Sequence, residues 1–303
     1  MLRTLSVFAI LGITASSAAA ETSCAVDDSA KSICGDVKIS PTECVNLGCC
    51  FKESKSDLTP NCFYGAIITS GYNLKGLVET DTGYVGELIL NGPGTSRFGQ
   101  DIKRLRLEII FETSDIVRVK ITDSSATRWE VPESVVSRPH ATKKPSSMNY
   151  KLSYTESPFS FEIVRVSDGR SLFKLDESFV FKDQYMEFST SVNESAATFG
   201  LGESNRITQS LQPGTTHTLW SVDRRDLFWG RNMYSSMPYY LQMVDGAAHG
   251  ALLMNSNGMD VQLSKDSLTF KTIGGIFDLY VFSGSSPAAV VDQYTQIVGR
   301  PTM

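Results

Sequence analysis

All six cysteines of this 303-residue chain fall between Cys24 and Cys62, and none occurs in the long remainder up to Met303. A segment of about forty residues rarely buries enough apolar surface to outweigh its chain entropy, so this stretch needs crosslinks to hold a fold. The positions Cys24, Cys34, Cys44, Cys49, Cys50 and Cys62 include no C-x2-C pair and no histidine lies among them. Three disulfides, worth roughly 2–4 kcal/mol each, are therefore expected in preference to zinc. The neighbours Cys49 and Cys50 are expected to take different partners, because bridging adjacent residues strains the peptide between them. Spacing alone leaves the pairing open. The rest of the chain is long enough to build its own core, so two unlike modules are expected.

The first twenty residues carry Arg3, an apolar run from Leu5 to Ile13, and Ala18-Ala19-Ala20 before Glu21. That layout predicts a secretory signal peptide over residues 1–20, cleaved after Ala20. The apolar run is far shorter than the roughly twenty residues that cross a bilayer, so no membrane span is expected. Paired cysteines then imply an oxidising compartment in the secretory pathway, either extracellular or lysosome-like. The 28 basic and 33 acidic residues sum to −5 with no basic block. Such a chain lacks the cationic face that nucleic acid requires.

Beyond residue 64 the pattern is one of strands. Leu105, Leu107, Ile109 and Phe111 alternate with Arg104, Arg106, Glu108 and Ile110, and Val117, Val119 and Ile121 alternate with Arg118 and Lys120. A period of two predicts half-buried antiparallel strands. Phe159, Phe161 and Ile163 continue it, and Ser167-Asp168-Gly169-Arg170 supplies a hairpin turn before Leu172 and Phe173. Further strands are expected over Phe179–Phe188, Tyr239–Met243, Ala251–Met254 and Leu268–Lys271, which together make a large β-sandwich. Pro287–Val298 reads as an amphipathic helix capped by Ser286, with Val290, Val291, Tyr294 and Ile297 at helical spacing. Residues 133–150, rich in proline, lysine and serine, read as an exposed loop. Gly200-Leu201-Gly202-Glu203 reads as a structural turn, since it lacks the lysine or third glycine of a phosphate loop. Asn255-Ser256-Asn257-Gly258 reads as a strand-to-turn corner whose side chains cap backbone groups.

Specific motifs carry two resemblances. The segments Lys31-Ser32-Ile33-Cys34-Gly35 and Ile39-Ser40-Pro41-Thr42-Glu43-Cys44, the spacing Cys44-x4-Cys49-Cys50-Phe51, and Cys62-Phe63-Tyr64 resemble a trefoil (P-type) domain over residues 21–64. The resemblance implies the pairing Cys24–Cys50, Cys34–Cys49 and Cys44–Cys62. Two aromatic positions of that family's glycan cleft are Asp36 and Asn61 here. Sugar recognition leans on flat apolar faces, so the module is expected to pack rather than to act as a lectin, with Phe51, Phe63 and Tyr64 as core or hinge contacts.

Ile121-Thr122-Asp123, Arg128-Trp129-Glu130-Val131-Pro132, Phe199-Gly200-Leu201-Gly202-Glu203 and Leu253-Met254-Asn255-Ser256-Asn257-Gly258-Met259-Asp260 follow one another in a fixed order. Thr272-Ile273-Gly274-Gly275-Ile276-Phe277-Asp278, Asp292-Gln293-Tyr294-Thr295 and Gly299-Arg300-Pro301 complete the series. Over residues 65–303 these resemble the N-terminal sandwich of glycoside hydrolase family 31, the α-glucosidases of lysosomal and intestinal type, where a trefoil likewise precedes the sandwich. The implied fold class is mainly β: a small disulfide-rich trefoil module, then a large antiparallel β-sandwich of the galactose-mutarotase-like kind with a C-terminal helix.

In that family the catalytic (β/α)8 barrel begins just after the Gly-Arg-Pro segment and carries both bond-breaking carboxylates, the nucleophile in a Trp-x-Asp motif. Here Trp129, Trp220 and Trp229 are followed two positions later by Val131, Val222 and Arg231, so no catalytic residue is carried over. Asp223 and Asp226 are close in sequence, but Arg224, Arg225 and Arg231 would hold both ionised, which argues against a catalytic pair. Trp220-Ser221-Val222-Asp223, followed by Asn232-Met233-Tyr234 and Pro238, resembles the sandwich loop that enters the family's substrate cleft, and Asp223 matches its sugar-contacting aspartate. The family's common glycine is Ser235 here. A plain solvated Asp/Arg loop is the competing reading of the same residues.

His140, His217 and His249 show no metal-ligand spacing, so no metal or cofactor is expected. The fold would also allow anomer exchange by His217 or His249 with Glu203, on fold analogy alone. Asn193-Glu194-Ser195 is an N-glycosylation sequon. The implied role is the non-catalytic N-terminal portion of a secretory-pathway α-glucosidase, with the barrel as intramolecular partner and an α-glucoside or maltooligosaccharide as substrate. A free-standing secreted carbohydrate- or protein-binding module is the alternative.

Overall fold

The computed structural model describes residues 22–300 and 302, apart from 27, 29–30, 32, 37, 48, 55–58, 68–70, 93–97, 207 and 224–229. The signal-peptide reading of residues 1–20 lies outside the described residues. Backbone contacts divide the chain into two units, Met1–Ile68 and Thr69–Met303.

In the first unit a run of few apolar residues is closed by cysteines. They pair Cys24–Cys50, Cys34–Cys49 and Cys44–Cys62, and no described cysteine is free. Strand β1 (Thr22–Ser23) pairs with β4 (Ala66–Ile67), and β2 (Cys50–Phe51) pairs with β3 (Cys62–Phe63). Helix α1 (Pro41–Asn46) starts at a proline, whose missing N–H costs nothing at that position. Ser40 Oγ accepts from the Glu43 amide at 3.3 Å, and the Glu43 carboxylate accepts from the Ser40 amide at 3.0 Å, a reciprocal cap. The core is the buried sulfur of Cys34, Cys44, Cys49 and Cys62, with Ile39, Phe51 and Tyr64 packed on it. Phe63 is fully buried, and the Lys31 ammonium sits 4.4 Å from its ring centre.

The second unit is antiparallel throughout. Its alternating segments become β5 (Tyr72–Glu79), β6 (Gly83–Leu90), β7 (Arg104–Phe111) and β8 (Ile116–Asp123), then β9 (Tyr150–Glu156), β10 (Phe159–Arg165) and β11 (Ser171–Leu175). There follow β12 (Val180–Phe181), β13 (Met186–Ser191), β14 (Ala197–Ser204), β15 (Thr215–Leu219), β16 (Asn232–Val244), β17 (Ala247–Leu253), β18 (Met259–Leu263), β19 (Ser267–Thr272) and β20 (Phe277–Phe282). An eight-stranded sheet runs β14-β16-β17-β20-β8-β7-β6-β5, a five-stranded sheet β12-β13-β19-β18-β15, and a three-stranded sheet β11-β10-β9. Aromatic side chains join the layers. Phe188 and Phe270 of the five-stranded sheet stack at 5.0 Å, and Phe277 of the eight-stranded sheet meets Phe188 edge-on at 4.8 Å. Phe161 and Phe173 of the three-stranded sheet stack at 5.8 Å beside them.

Helix α2 (Pro287–Val298) covers the outer face of β16, β17 and β20. Ser286 Oγ accepts from the Ala289 amide at 3.3 Å. Val290 and Ile297 are buried and Tyr294 stacks on Tyr239 at 4.3 Å, whereas Val291 faces water.

Three local expectations need correction. The stretch Phe179–Phe188 is a hairpin, β12 and β13, because the polar Lys182-Asp183-Gln184 turns the chain and the Lys182 amide donates to Tyr185 O at 2.7 Å. Gly200-Leu201-Gly202-Glu203 is a doubly bulged part of β14 rather than a turn. Gly200 has φ +108°, and a Cβ there would stand 2.3 Å from Tyr239 O, so the strand passes too close to β16 for any side chain. Residues 133–150 do not form a wholly exposed loop. The connection packs Val131 and Val136 on the outer face of the sheet and buries Arg138 to 5% exposure.

Arg138 completes a buried charge cluster. Asp278 accepts from Arg118 Nε at 2.7 Å and Nη2 at 2.8 Å, and from Arg138 Nη1 at 3.5 Å. Arg138 also donates to Val131 O. Glu112 lies 4.0 Å from Arg118 and accepts from the Ala141 amide at 3.2 Å; burial pushes its carboxyl up, against the pull of Arg118. The outer face of β8 is thus buried at Ile116 and Arg118 and half-buried at Lys120 and Thr122, so Arg118, which the alternation assigns to water, is inside.

Candidate functional site

The residues singled out by the sequence gather where β14 and β15 end and β16 begins. Asn232, the first residue of β16, pairs with Ser204 at the end of β14 and is 9% exposed. Its amide oxygen accepts from the Trp220 amide at 3.0 Å and from Ser236 Oγ at 3.1 Å. Its Nδ2 donates to Glu203 O at 3.0 Å and to Ser235 O at 2.8 Å. An asparagine side chain has two donors and two acceptor sites, so its capacity is filled. The Val222 amide donates to Met233 O at 3.1 Å, Ser221 and Ser236 share a hydroxyl contact of 2.8 Å, and the Gly230 amide donates to Asn205 Oδ1 at 3.1 Å.

Asp223 follows directly on this braced segment and is exposed, as are Ser235 and Glu203, whose side chains lie 3.4 Å apart. Asp226, Arg224, Arg225 and Trp229 lie outside the described residues. An exposed carboxylate such as this can accept hydrogen bonds from hydroxyl groups.

Beside it, the corner Asn255–Gly258 behaves as its sequence suggests. Asn255 Nδ2 donates to Gly274 O at 2.9 Å and Ile276 O at 3.1 Å, while Oδ1 accepts from the Asn257 amide at 2.9 Å. Two indoles rest on this corner. Trp220 lies on Gly258, where a Cβ would meet its ring at 2.3 Å, and Trp129 donates from Nε1 to Ser256 Oγ at 2.8 Å. They are 55% and 57% exposed, and Ile273, near Gly258, is exposed with them.

The histidines do not form a site. His217 Nδ1 lies 3.4 Å from Arg206 Nη1 and Nε2 lies 3.0 Å from Thr215 Oγ1. Burial, reinforced by Arg206, lowers it to about 4, so the ring is neutral at ordinary pH. His249 is buried in β17 and is likewise lowered to about 4, by burial and then by Arg165 and Arg170. No hydrogen bond joins either ring to Glu203 among the described residues. Nor do any three His, Cys, Asp or Glu among them form a group that could hold a metal ion. In the first unit, Asn61 is exposed and its Oδ1 accepts from the Ser54 amide at 2.8 Å, and Asp36 is exposed.

The trefoil (P-type) domain model matches residues 24–65. The model of the glycosyl hydrolase 31 N-terminal galactose mutarotase-like domain matches residues 106–261, half of the chain. The chain belongs to glycoside hydrolase family 31. Among family 31 relatives, the lysosomal alpha-glucosidase of Mus musculus is 35% identical over 294 residues, which is 94% of this chain and 30% of the relative. Alpha-xylosidase 1 of Arabidopsis thaliana is 39% identical over 83% of this chain and 29% of its own length. The intestinal sucrase-isomaltase of Oryctolagus cuniculus is 33% identical over 87% of this chain and 15% of its own length. The chain thus spans less than a third of the curated family 31 relatives it matches, over the N-terminal part of family 31 α-glucosidases. Its fold is similar to that of the glucosidase II alpha subunit, with TM-score 0.64 at 15% identity over 78% of this chain and 35% of that one.

Sequence reasoning pointed to Asp223 and Trp220 through the family motif. It did not single out Asn232, Asn205 or Gly258 by role. Asn232 entered the sequence reading only as part of the segment Asn232-Met233-Tyr234.

Proposed function

We propose that this chain is the non-catalytic N-terminal portion of a secretory-pathway α-glucosidase, which packs on a catalytic barrel and lends Asp223 to the substrate cleft. The observation that carries it is the extent of the match: 94% of the chain aligns with 30% of a lysosomal α-glucosidase, trefoil and sandwich together. The substrate is an α-glucoside or maltooligosaccharide. The two bond-breaking carboxylates of the complete enzyme, about 5 Å apart in a retaining enzyme, belong to the barrel, and the sandwich supplies orientation. An aspartate at the rim fits that role because it accepts hydrogen bonds from two hydroxyls without entering the bond-breaking step.

Trp129, Trp220 and Ile273 around the Asn255–Gly258 corner support the packing role, since large apolar groups held in water mark a surface that something covers. Three disulfides and the lysosomal relative support the secretory pathway. No helix among the described residues is long and apolar enough to cross a membrane. Asn193 is exposed in the turn after β13, with Oδ1 accepting from the Ser195 amide at 2.8 Å, and is the proposed N-glycan site.

A chimera tests the reading, in which this chain replaces the matching N-terminal 30% of the Mus musculus lysosomal alpha-glucosidase. The chimera is expected to release glucose from maltose, and Asp223→Ala is expected to lower its kcat/KM by about ten-fold or more, the scale of one charged hydrogen bond. An inactive chimera, or one indifferent to Asp223→Ala, counts against the proposal.

A further inference from the structure

We propose that Asn232 is a positioning residue for Asp223: one buried amide that fixes the chain just before the carboxylate by binding three strand ends at once. This rests on the reading of Asp223 as a substrate contact. The geometry is a two-rung clamp. Trp220 donates to the Asn232 side chain at 3.0 Å, and two residues on Val222 donates to Met233 O at 3.1 Å. Asp223 is the next residue, so its backbone position is set within one residue of the second rung. The other half of the amide anchors the clamp, to Glu203 O at the end of β14 and to Ser235 O in β16.

Among the short polar side chains, only asparagine satisfies this arrangement. Aspartate offers acceptors to Trp220 and Ser236 but no donor for Glu203 O and Ser235 O, and serine lacks the second arm. The bonds lie in a nearly dry position, where a carbonyl or amide that loses its partner is not fully compensated by water.

Site-resolved amide hydrogen exchange on the whole chain tests the clamp without any sugar. Asn232→Ala is expected to speed exchange at Trp220 and Val222 by about ten-fold, the factor one lost hydrogen bond corresponds to, with Val119 and Ile121 in β8 unchanged. Asn232→Ser, which lacks the second arm but keeps a small polar side chain, is expected to speed exchange at the same two amides, and it serves if the alanine variant fails to fold. Unchanged exchange at Trp220 and Val222, or an equal rise throughout the sandwich, overturns the inference. In the chimera, Asn232→Ala is expected to add nothing to the loss already caused by Asp223→Ala, because the clamp acts through that carboxylate. Additive losses overturn positioning. An effect of Asn232→Ala on exchange together with no effect of Asp223→Ala on turnover places the failure in the substrate-contact reading instead.

Discussion

Replacing Asp278 with alanine is expected to destabilise the sandwich by about 3–5 kcal/mol, the cost of breaking a buried ion pair by removing one partner. Asp278 accepts from Arg118 at 2.7 and 2.8 Å and from Arg138 at 3.5 Å, and all three side chains are buried. Its loss leaves two guanidiniums with Glu112 as the nearest carboxylate, 4.0 Å from Arg118. Burial works against the charge on Arg118, and in the intact cluster the bonds to Asp278 outweigh it. The connection bearing Val131, Val136 and Arg138 is expected to lift first, since Arg138 ties it to the sheet. Urea unfolding followed by tryptophan fluorescence gives the number. The paired variant Arg118→Met with Asp278→Leu is expected to lose less than Asp278→Ala alone, because it strands one guanidinium, Arg138, instead of two and fills the vacated space. A loss below about 1 kcal/mol for Asp278→Ala would show that the cluster is hydrated and contributes little.

Removing one crosslink from the first unit is expected to unfold that unit alone. Cys44 and Cys62 close a separation of 18 residues, and both are buried in a core made largely of cystine. Their replacement by serine removes about 3 kcal/mol of chain-entropy restraint and puts two hydroxyls where sulfur was. A unit this small has no reserve of apolar burial to offset the loss. Limited proteolysis is expected to cut within residues 24–65 of Cys44→Ser/Cys62→Ser while leaving the sandwich intact, because every cysteine lies outside it. A trefoil unit that stays resistant would mean that its other two bridges suffice.

Much of the architecture was readable because it is local. The cysteine cluster, the alternation from Arg104 to Asp123, and the Ser286-Pro287 start of the last helix each declare themselves within a few residues. The buried charges do not. Arg138 lies in a segment whose composition reads as solvent-exposed, and its partner Asp278 is 140 residues away. Arg118 alternates with apolar residues as a surface residue should, yet it is buried against Asp278 and Tyr280 of the neighbouring strand. The Phe179–Phe188 run hid a turn because its flanks are aromatic on both sides. At the candidate site, Asp223 was legible through a family motif, whereas the Asn232 clamp joins three strand ends and has no signature in spacing.

Glucose release from maltose by the purified, sequence-verified chain on its own is the measurement closest to the central claim, that this polypeptide frames a cleft whose chemistry is done by carboxylates it does not carry. No release above buffer is predicted, at any pH where the chain stays folded. Saturable turnover that disappears on substituting an acidic residue of this chain would contradict it.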